Sequence, residues 1–203
     1  MDIASICPDA PAAELRAAAD RYGIDTSLRQ AHWLAQMAHE SAGFRRVREN
    51  LNYSVEALLS LFGRHRITHD EAHRYGRKPG QPADAQAIAN CLYGGEFGRK
   101  NLGNRLDGDG HRFLGRGYKQ LTGRDNYARC SAAIYGDTRL VEAPELLEQP
   151  EAASLSAAWF WQSRGLNALA DADDIESITR KVNGGLIGLA ERKAWLAKFK
   201  HGG

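Results

Sequence analysis

The sequence contains no run of about 18 apolar residues, so no segment is long enough to predict a transmembrane helix. The N-terminal residues 1–9 also lack the positive charge and the apolar stretch of a secretory signal peptide. We therefore expect a cytoplasmic protein with no stable membrane association.

Cysteine is scarce, and its spacing matches no known framework. Cys7, Cys91 and Cys130 form an odd set without a C-x-x-C pair, which favours neither a zinc ribbon nor a set of disulfides. Free thiols in a reducing compartment are the simplest interpretation. We expect no metal and no other cofactor.

Neither sign of charge is in excess. The 27 Lys and Arg residues nearly balance 25 Asp and Glu residues, which argues against a nucleic-acid partner. The small net charge of +2 would still permit approach to a polyanion such as a bacterial envelope. A chain of 203 residues predicts a single catalytic domain over 1–203, with no separate cell-wall-binding module, and we expect a monomer.

Hydrophobic periodicity predicts a mainly α fold. Apolar residues recur at three- and four-residue steps, whereas no convincing pair of alternating strands exists. Residues 113–121 could hold at most a short strand. The segment Gly94–Gly117 is rich in Gly, Asn, Asp and Arg, and this composition predicts a long functional loop. The stretches predicted to be helical are 11–22, 28 to the glycine stop at 43, 54–62, 69–76, 84–93, 126–134, 144–147, 152–164, 174–182 and 189–199. Asp25, Thr26 or Ser27 can cap the second of these helices, Ser54 can cap the third, and the run 68–71 (Thr-His-Asp-Glu) is a capping box for the fourth.

Glu40 is the first candidate for chemistry. It falls in the last turn of an amphipathic helix that Gly43 is suited to stop, because glycine adopts the left-handed conformation without steric cost. Apolar neighbours and the negative end of the helix dipole both disfavour an ionised carboxylate. We therefore predict a raised proton affinity for Glu40, as a general acid needs.

Glu49 is the second candidate, since it follows in a charged and polar segment where it should stay ionised. Two carboxylates in contrasting environments are typical of glycoside hydrolysis, with a gap of about 6.5–9.5 Å for inversion and about 5–5.5 Å for retention. The alternative interpretation is structural: Glu40 would be an exposed helix end and Glu49 would pair with Arg45 or Arg46 at the surface.

Three other patterns are weaker signals. His65, His69 and His73 have the spacing of zinc ligands on a helix, but the first of them precedes the predicted helix start. His39-Glu40 lacks the second histidine of a zinc-protease helix. The run 107–110 (Asp-Gly-Asp-Gly) lacks the terminal glutamate of a calcium loop, so tight turns explain it better.

Four ordered motifs together resemble the family 19 glycoside hydrolases, and more closely their phage endolysin and bacterial chitinase-like branch. The motifs are His39-Glu40-Ser41-Ala42-Gly43-Phe44, Glu49-Asn50-Leu51-Asn52-Tyr53-Ser54, the run 115–127 (GRGYKQLTGRDNY) and Val182-Asn183-Gly184-Gly185. The resemblance covers about residues 30–199. It implies a lysozyme-like, two-lobed helical domain with a substrate cleft and a single-displacement, inverting mechanism.

The same resemblance implies the roles of individual residues. Glu40 would be the general acid, Glu49 the base that activates water, and Thr122 a residue that helps to hold that water. The residues expected to line the sugar subsites or to lie near the acid pair are Tyr53, Gln120, Asn126, Tyr127, Asn183 and Arg192.

The sequence departs from the family pattern at several points. Plant members have more residues between the two glutamates and a disulfide set, Ile187 stands where some members are acidic, and Lys119 occupies a commonly apolar position that we predict to be an exposed strand face. These departures bear on the assignment of Glu49 and on the length of the sugar-binding groove.

The leading hypothesis is a peptidoglycan hydrolase that cuts the β-1,4 bond between N-acetylmuramic acid and N-acetylglucosamine and so causes bacterial lysis. It would be a phage or prophage endolysin, held in the cytoplasm of the infected bacterium and released by a separate membrane-permeabilising protein. The alternatives are a chitinase acting on N-acetylglucosamine polymers and, in another class, a non-catalytic glycan-binding module.

Overall fold

The computed structural model describes residues 2–202, and most of these residues are helical. Helix starts follow the capping residues expected from the sequence. Thr26, Ser54 and Thr68 each accept a hydrogen bond from a backbone N–H in the first turn, and Thr68 and Glu71 form the predicted capping box. The α-helices within the described residues are α1 (Ile3–Ile6), α2 (Ala12–Arg21), α3 (Ser27–Glu40), α4 (Val55–Leu61), α5 (His69–Tyr75), α6 (Ala85–Tyr93), α7 (Gly95–Phe97), α8 (Asp109–Arg112), α9 (Arg124–Tyr135), α10 (Arg139–Glu142), α11 (Pro150–Ser163), α12 (Leu166–Asp171), α13 (Ile175–Asn183) and α14 (Leu189–His201).

The chain divides into two compact units, and each consists of more than one segment. Unit 1 contains the described parts of Met1–Val47, Gly117–Gln120 and Glu145–Gly203. Unit 2 contains Arg48–Arg116 and Leu121–Pro144. The turn Gly117–Gln120 therefore belongs to unit 1, although the residues on both sides of it belong to unit 2.

Unit 1 is built around α3. This helix packs against α14 and also contacts α11, α12 and α13, while α2 packs on α11. All residues from Ala31 to Ala38 are buried, so the helix is enclosed on more than the single apolar face that its periodicity predicts. The large side chains of Trp33, Trp161 and Phe199 are among those fully buried in this unit.

Unit 2 has its own hydrophobic core, formed mainly by α4, α5 and α6. Burial of these apolar side chains removes them from water and supplies the main driving force for folding of the unit. The buried members of the cluster are Leu51, Val55, Leu58, Ile67, Ala72, Ile88, Ala89, Leu92 and Leu114.

The glycine-rich segment is more ordered than a loop, so that part of the sequence prediction is wrong. It contains α7, a π-helical turn at Gly98–Leu102 and α8. Buried Asp109 explains part of this order, because its carboxylate accepts the backbone N–H groups of Arg105 and Leu106 and pairs with Arg124. These side-chain hydrogen bonds satisfy backbone N–H groups that would bind backbone carbonyls in a longer helix.

The strand suggested for residues 113–121 does not form. Within the described chain only isolated bridges occur, including Arg116 with Leu121 and Arg48 with Arg116. Three short helices were also missed by the periodicity (α1, α10 and α12), because four to six residues are too few to show a helical repeat.

None of the helices in residues 2–202 combines the length and the hydrophobicity needed to cross a bilayer. The thiols of Cys7, Cys91 and Cys130 are free, and those of Cys7 and Cys130 are buried.

Candidate active site

Helix α3 fixes the position of Glu40, which is its last residue. The helix begins at the Thr26 cap and ends where the backbone N–H of Ser41 binds the carbonyl of Met37 at 3.0 Å. The hydroxyl of Ser41 donates to the same carbonyl and accepts from the N–H of Phe44. Glu40 thus lies at a helix end that is closed by well-defined hydrogen bonds.

The turn after Glu40 is unusual, because three successive residues have left-handed backbones. Gly43 adopts this conformation as predicted (φ 72°), but Ala42 (φ 52°) and Phe44 (φ 66°) adopt it as well. The helix therefore ends three residues before the predicted glycine stop. Left-handed non-glycine residues cost about 1–3 kcal/mol each and are typically found near functional sites.

Glu40 is held by two cations within unit 1. The guanidinium of Arg192 on α14 binds one carboxylate oxygen, and the ammonium of Lys119 lies 3.2 Å from the other. The side chains are 14% exposed for Glu40, 17% for Lys119 and 1% for Arg192. A carboxylate in this setting is largely desolvated but fully paired.

These cations reverse the proton affinity predicted for Glu40. Burial raises its pKa, as the sequence suggested, but the charges of Lys119 and Arg192 outweigh that effect. The pKa of Glu40 therefore lies below its ordinary value of 4.5. The prediction of a raised pKa was wrong because it counted the helix end and the apolar neighbours without these two partners.

A buried polar chain supports Arg192 and was missed by the sequence analysis. The side-chain oxygen of Gln36 accepts from Arg192, and its amide nitrogen donates to the hydroxyl of Thr179 at 3.2 Å. Gln36 lies one turn before Glu40 on α3, so the helical repeat places both side chains on the same face. That i, i+4 relationship was the available signal for Gln36.

Lys119 reaches Glu40 from the turn Gly117–Gln120, and not from the exposed strand face predicted for it. The N–H of Gly117 binds the carbonyl of Val47 at 2.8 Å. A Cβ atom at Gly117 would lie 3.1 Å from the hydroxyl of Ser156 on α11, so this close approach favours glycine. The ammonium of Lys119 also lies 5.2 Å from the ring centroid of Phe160.

Glu49 has a different kind of environment within unit 2. The phenol of Tyr93 donates to one carboxylate oxygen at 2.6 Å, and the N–H of Gly115 donates to the other at 2.6 Å. The backbone N–H of Glu49 in turn binds the carbonyl of Gly115 at 3.0 Å. Neutral donors within unit 2 therefore orient this carboxylate.

Tyr93, which the sequence analysis did not select, is itself enclosed. Burial, and then the charge of Glu49, raises the pKa of its phenol, so the hydroxyl remains a hydrogen-bond donor. The guanidinium of Arg66 lies 5.8 Å from the Tyr93 ring centroid and 3.6 Å from that of Phe97. Burial and the nearby Glu49 also raise the pKa of Tyr53, which packs edge-on against Phe62.

Thr122 lies on the segment that runs beside the Gly115 backbone. Leu121 exchanges two backbone hydrogen bonds with Arg116, and the N–H of Gly123 binds the carbonyl of Phe113 at 2.8 Å. These contacts bring Thr122 next to the residues that hold Glu49. The carbonyl of Thr122 accepts the side-chain amide of Asn126 at 2.6 Å.

Tyr127 supports this segment from inside unit 2. Its side chain is fully buried, and its hydroxyl donates to the carbonyl of Leu114 and accepts from Arg116. Its ring therefore offers no face to a sugar, contrary to the role inferred for it. Arg192 is also buried and contacts Glu40, so it lies near the acid as the resemblance implied and does not line a subsite.

Gln120 and Asn183 remain sugar-binding predictions in unit 1. Gln120 is partly buried and has a left-handed backbone (φ 54°). Asn183 ends α13 and is exposed, and its amide lies 3.4 Å from the carbonyl of Ile187. This loop lies close to His39, the residue before the acid, since a Cβ atom at Gly188 would lie 2.4 Å from the His39 ring.

The candidate site residues therefore fall into two groups. Glu40, Gln120, Asn183 and Arg192 belong to unit 1, whereas Glu49, Tyr53, Thr122, Asn126 and Tyr127 belong to unit 2. Across residues 2–202 no group of three His, Cys, Asp or Glu side chains could hold a metal ion. His65 precedes α5, as the sequence indicated.

A helical, lysozyme-like fold with two separately supported carboxylates is the arrangement expected of a glycoside hydrolase. The comparisons with known proteins agree. The chain is similar to a glycosyl hydrolase family 19 domain-containing protein of Haemophilus influenzae. The two are 35% identical over 173 residues, which cover 85% of this chain and 79% of the relative. The chain belongs to glycosyl hydrolase family 19.

Solved structures show the same fold at lower sequence identity. Chitinase C of Streptomyces griseus HUT6037 is 20% identical, with a TM-score of 0.58 over 97% of this chain and 72% of that one. A bacterial family 19 chitinase is 17% identical, with a TM-score of 0.60 over 98% of this chain and 90% of that one. No family model matches the sequence.

Proposed function

We propose that this glycoside hydrolase is a muramidase-type endolysin that cuts the β-1,4 bond between N-acetylmuramic acid and N-acetylglucosamine in peptidoglycan. The observation that carries the proposal is the cationic environment of Glu40, formed by Lys119 and Arg192. A carboxylate-bearing polymer such as peptidoglycan would meet complementary charge there, whereas neutral chitin would not.

Glu40 and Glu49 divide the chemistry in an inverting mechanism. Glu40 donates a proton to the glycosidic oxygen, and Glu49 removes a proton from the water that attacks the anomeric carbon from the opposite face. The phenol of Tyr93 and the N–H of Gly115 each donate to one oxygen of Glu49 and so orient its carboxylate. Thr122 helps to position the water.

Glu40 must gain a proton before it can act. In the free enzyme its pKa is lowered, so it is ionised at neutral pH. Protonation therefore accompanies substrate binding, when sugar displaces water and changes the contacts of the carboxylate. This requirement makes the partners of Glu40 part of the mechanism.

Release of the enzyme into the wall would follow the endolysin pattern. The protein would be held in the cytoplasm of a bacterium infected by a phage or carrying a prophage, and a separate membrane-permeabilising protein would let it reach peptidoglycan. The enzyme would act as a monomer.

Chitin is the second candidate substrate, and the similarity to solved bacterial chitinases favours it. The test compares purified peptidoglycan, chloroform-treated Gram-negative cells and colloidal chitin. We expect a fall in turbidity of the cells, new reducing ends on the glycan and an α-anomer as the first product. Soluble sugar from chitin without lysis would select a chitinase, and amidase or peptidase products would refute both.

A further inference from the structure

Lys119 is an unusual neighbour for a general acid, because it adds a second positive charge to a carboxylate that Arg192 already neutralises. Its ammonium lies 3.2 Å from Glu40 and is carried on a four-residue turn. Arg192 is 1% exposed and is held by Gln36, so it is fixed in place. Lys119 has a flexible stem and a 17% exposed side chain, so it is the partner that can leave.

We propose that Lys119 is a specificity-determining residue that makes cleavage depend on a carboxylate in the substrate. On binding, the ammonium exchanges Glu40 for a carboxylate of the peptidoglycan stem peptide, and Glu40 then takes up the proton that it donates to the leaving oxygen. This inference rests on the proposed function and names the feature of peptidoglycan that the enzyme would recognise.

The other charged groups around Glu40 leave this role to Lys119. His39 precedes Glu40, and burial and then Arg192 lower its pKa, so it is neutral at pH 7 and adds no charge. Glu191 faces His39 from α14 and is exposed. Once Lys119 has moved, Arg192 is the one remaining cation that binds Glu40 among the described residues. Loss of a neighbouring positive charge raises the proton affinity of a buried carboxylate.

Peptidoglycan offers a carboxylate that can take the place of Glu40 beside Lys119, and chitin does not. The stem peptides of peptidoglycan carry free carboxylates, whereas chitin is a neutral polymer. The ammonium would bind such a carboxylate while keeping its contact with the Phe160 ring, which lies 5.2 Å away. A neutral strand would offer hydroxyl and amide groups, which compete poorly with Glu40 for a cation.

The proton balance of the cycle is complete without any further reactant. Glu40 takes a proton from solvent as Lys119 leaves, and it gives that proton to the glycosidic oxygen as the bond to the anomeric carbon breaks. Water supplies the new bond at that carbon, and its proton passes to Glu49. Glu49 then returns a proton to solvent, and Lys119 rebinds the ionised Glu40.

The test compares wild type with Lys119→Met, which removes the charge, and with Lys119→Arg, which keeps it. The substrates are native peptidoglycan, the same material with its carboxylates amidated by methylamine, and chitohexaose. For wild type we expect kcat/KM to fall about tenfold or more on amidation, the ratio produced by one pKa unit at the acid. Lys119→Met should cleave native and amidated peptidoglycan with the same kcat/KM, whereas Lys119→Arg should show the wild-type difference.

A second readout separates this role from a structural one. The pH optimum of kcat/KM on chitohexaose should lie higher for Lys119→Met than for wild type, because the pKa of the free acid rises. Lys119→Gln repeats both measurements should the methionine variant fold poorly. An unchanged substrate ratio in a folded variant overturns the inference alone, whereas a wild-type enzyme that cuts none of the substrates overturns the proposed function as well.

Discussion

The two carboxylates of the candidate site are held in opposite ways. Glu40 in unit 1 is bound by two cations, Lys119 and Arg192. Glu49 in unit 2 is bound by two neutral donors, the Tyr93 phenol and the Gly115 N–H. Both side chains are partly buried and both are satisfied, so the difference is one of charge and not of hydrogen-bond number.

This difference has a chemical meaning. Neutral donors orient a carboxylate without cancelling its charge, which suits a base that must attract a proton. Cations cancel the charge, so the proton affinity of Glu40 changes strongly when one of them moves. The acid is therefore adjustable and the base is fixed.

The largest expected effect comes from the carboxylates themselves. Glu40→Gln and Glu49→Gln should each lower kcat by about 10²-fold or more, the usual contribution of a general acid or base. The measurement is the initial rate of lysis together with a glycan pull-down, in which binding should persist. Glu176→Gln removes half of an exposed ion pair with Lys193 and serves as the matched control. Unchanged lysis in both site variants would end the assignment of catalysis to these two carboxylates.

Arg192→Met tests the cations that hold Glu40. The substitution leaves a desolvated carboxylate and an unpaired Gln36, so we expect the free energy of unfolding to fall by about 3–5 kcal/mol. Urea unfolding measures this value, and Arg180→Met at an exposed position of α13 is the control. A loss no larger than that of the control would mean that Arg192 does not anchor Glu40.

Tyr93→Phe tests the neutral donors that hold Glu49. It removes one hydrogen bond to a charged group, which is worth about 1.5–3 kcal/mol in the free energy of unfolding. We also expect a lower kcat, because Glu49 loses one of its two orienting donors. Tyr75→Phe, a phenol at the end of α5, should stay within about 0.5 kcal/mol of wild type in the same urea titration. An equal loss of unfolding free energy in Tyr93→Phe and Tyr75→Phe would mean that the Tyr93 phenol does not stabilise Glu49.

The smallest effect concerns acid stability. The folded pKa of Glu40 lies below 4.5, so the stability contributed by its ion pairs is complete above pH 4.5 and is lost as pH falls through the folded pKa. Lys119→Met should therefore be less stable than wild type by about 1 kcal/mol at pH 7, and this gap should close in strong acid. Urea unfolding at several pH values measures the gap, and a gap that persists at pH 2 would point to packing and not to charge.

Much of the fold follows from local sequence signals. The caps at Thr26, Ser54 and Thr68 and the long apolar repeats located the principal helices, because these signals depend on neighbours within one turn. The segment Gly94–Gly117 was misjudged because its order depends on Asp109 and Arg124, a pair separated by 15 residues. Composition carries no record of such a contact.

The candidate site shows the same limit. Glu40 and Glu49 could be selected from the sequence, but the proton affinity of Glu40 could not, since its partners are 79 and 152 residues away along the chain. Gln36 was within reach of the helical repeat. Tyr93 was not, because its contact with Glu49 spans 44 residues and no local pattern marks it.

The four-residue turn that carries Lys119 also determines how this protein can be dissected. Unit 1 is assembled from three stretches of chain and unit 2 from two, so no single cut in the gene yields either unit intact. A fusion of residues 2–47 to residues 145–202 would keep Arg192 but lose Lys119. Such a minimal fragment would carry the acid with one counter-ion in place of two, and its Glu40 would therefore differ in proton affinity from the Glu40 of the 203-residue chain.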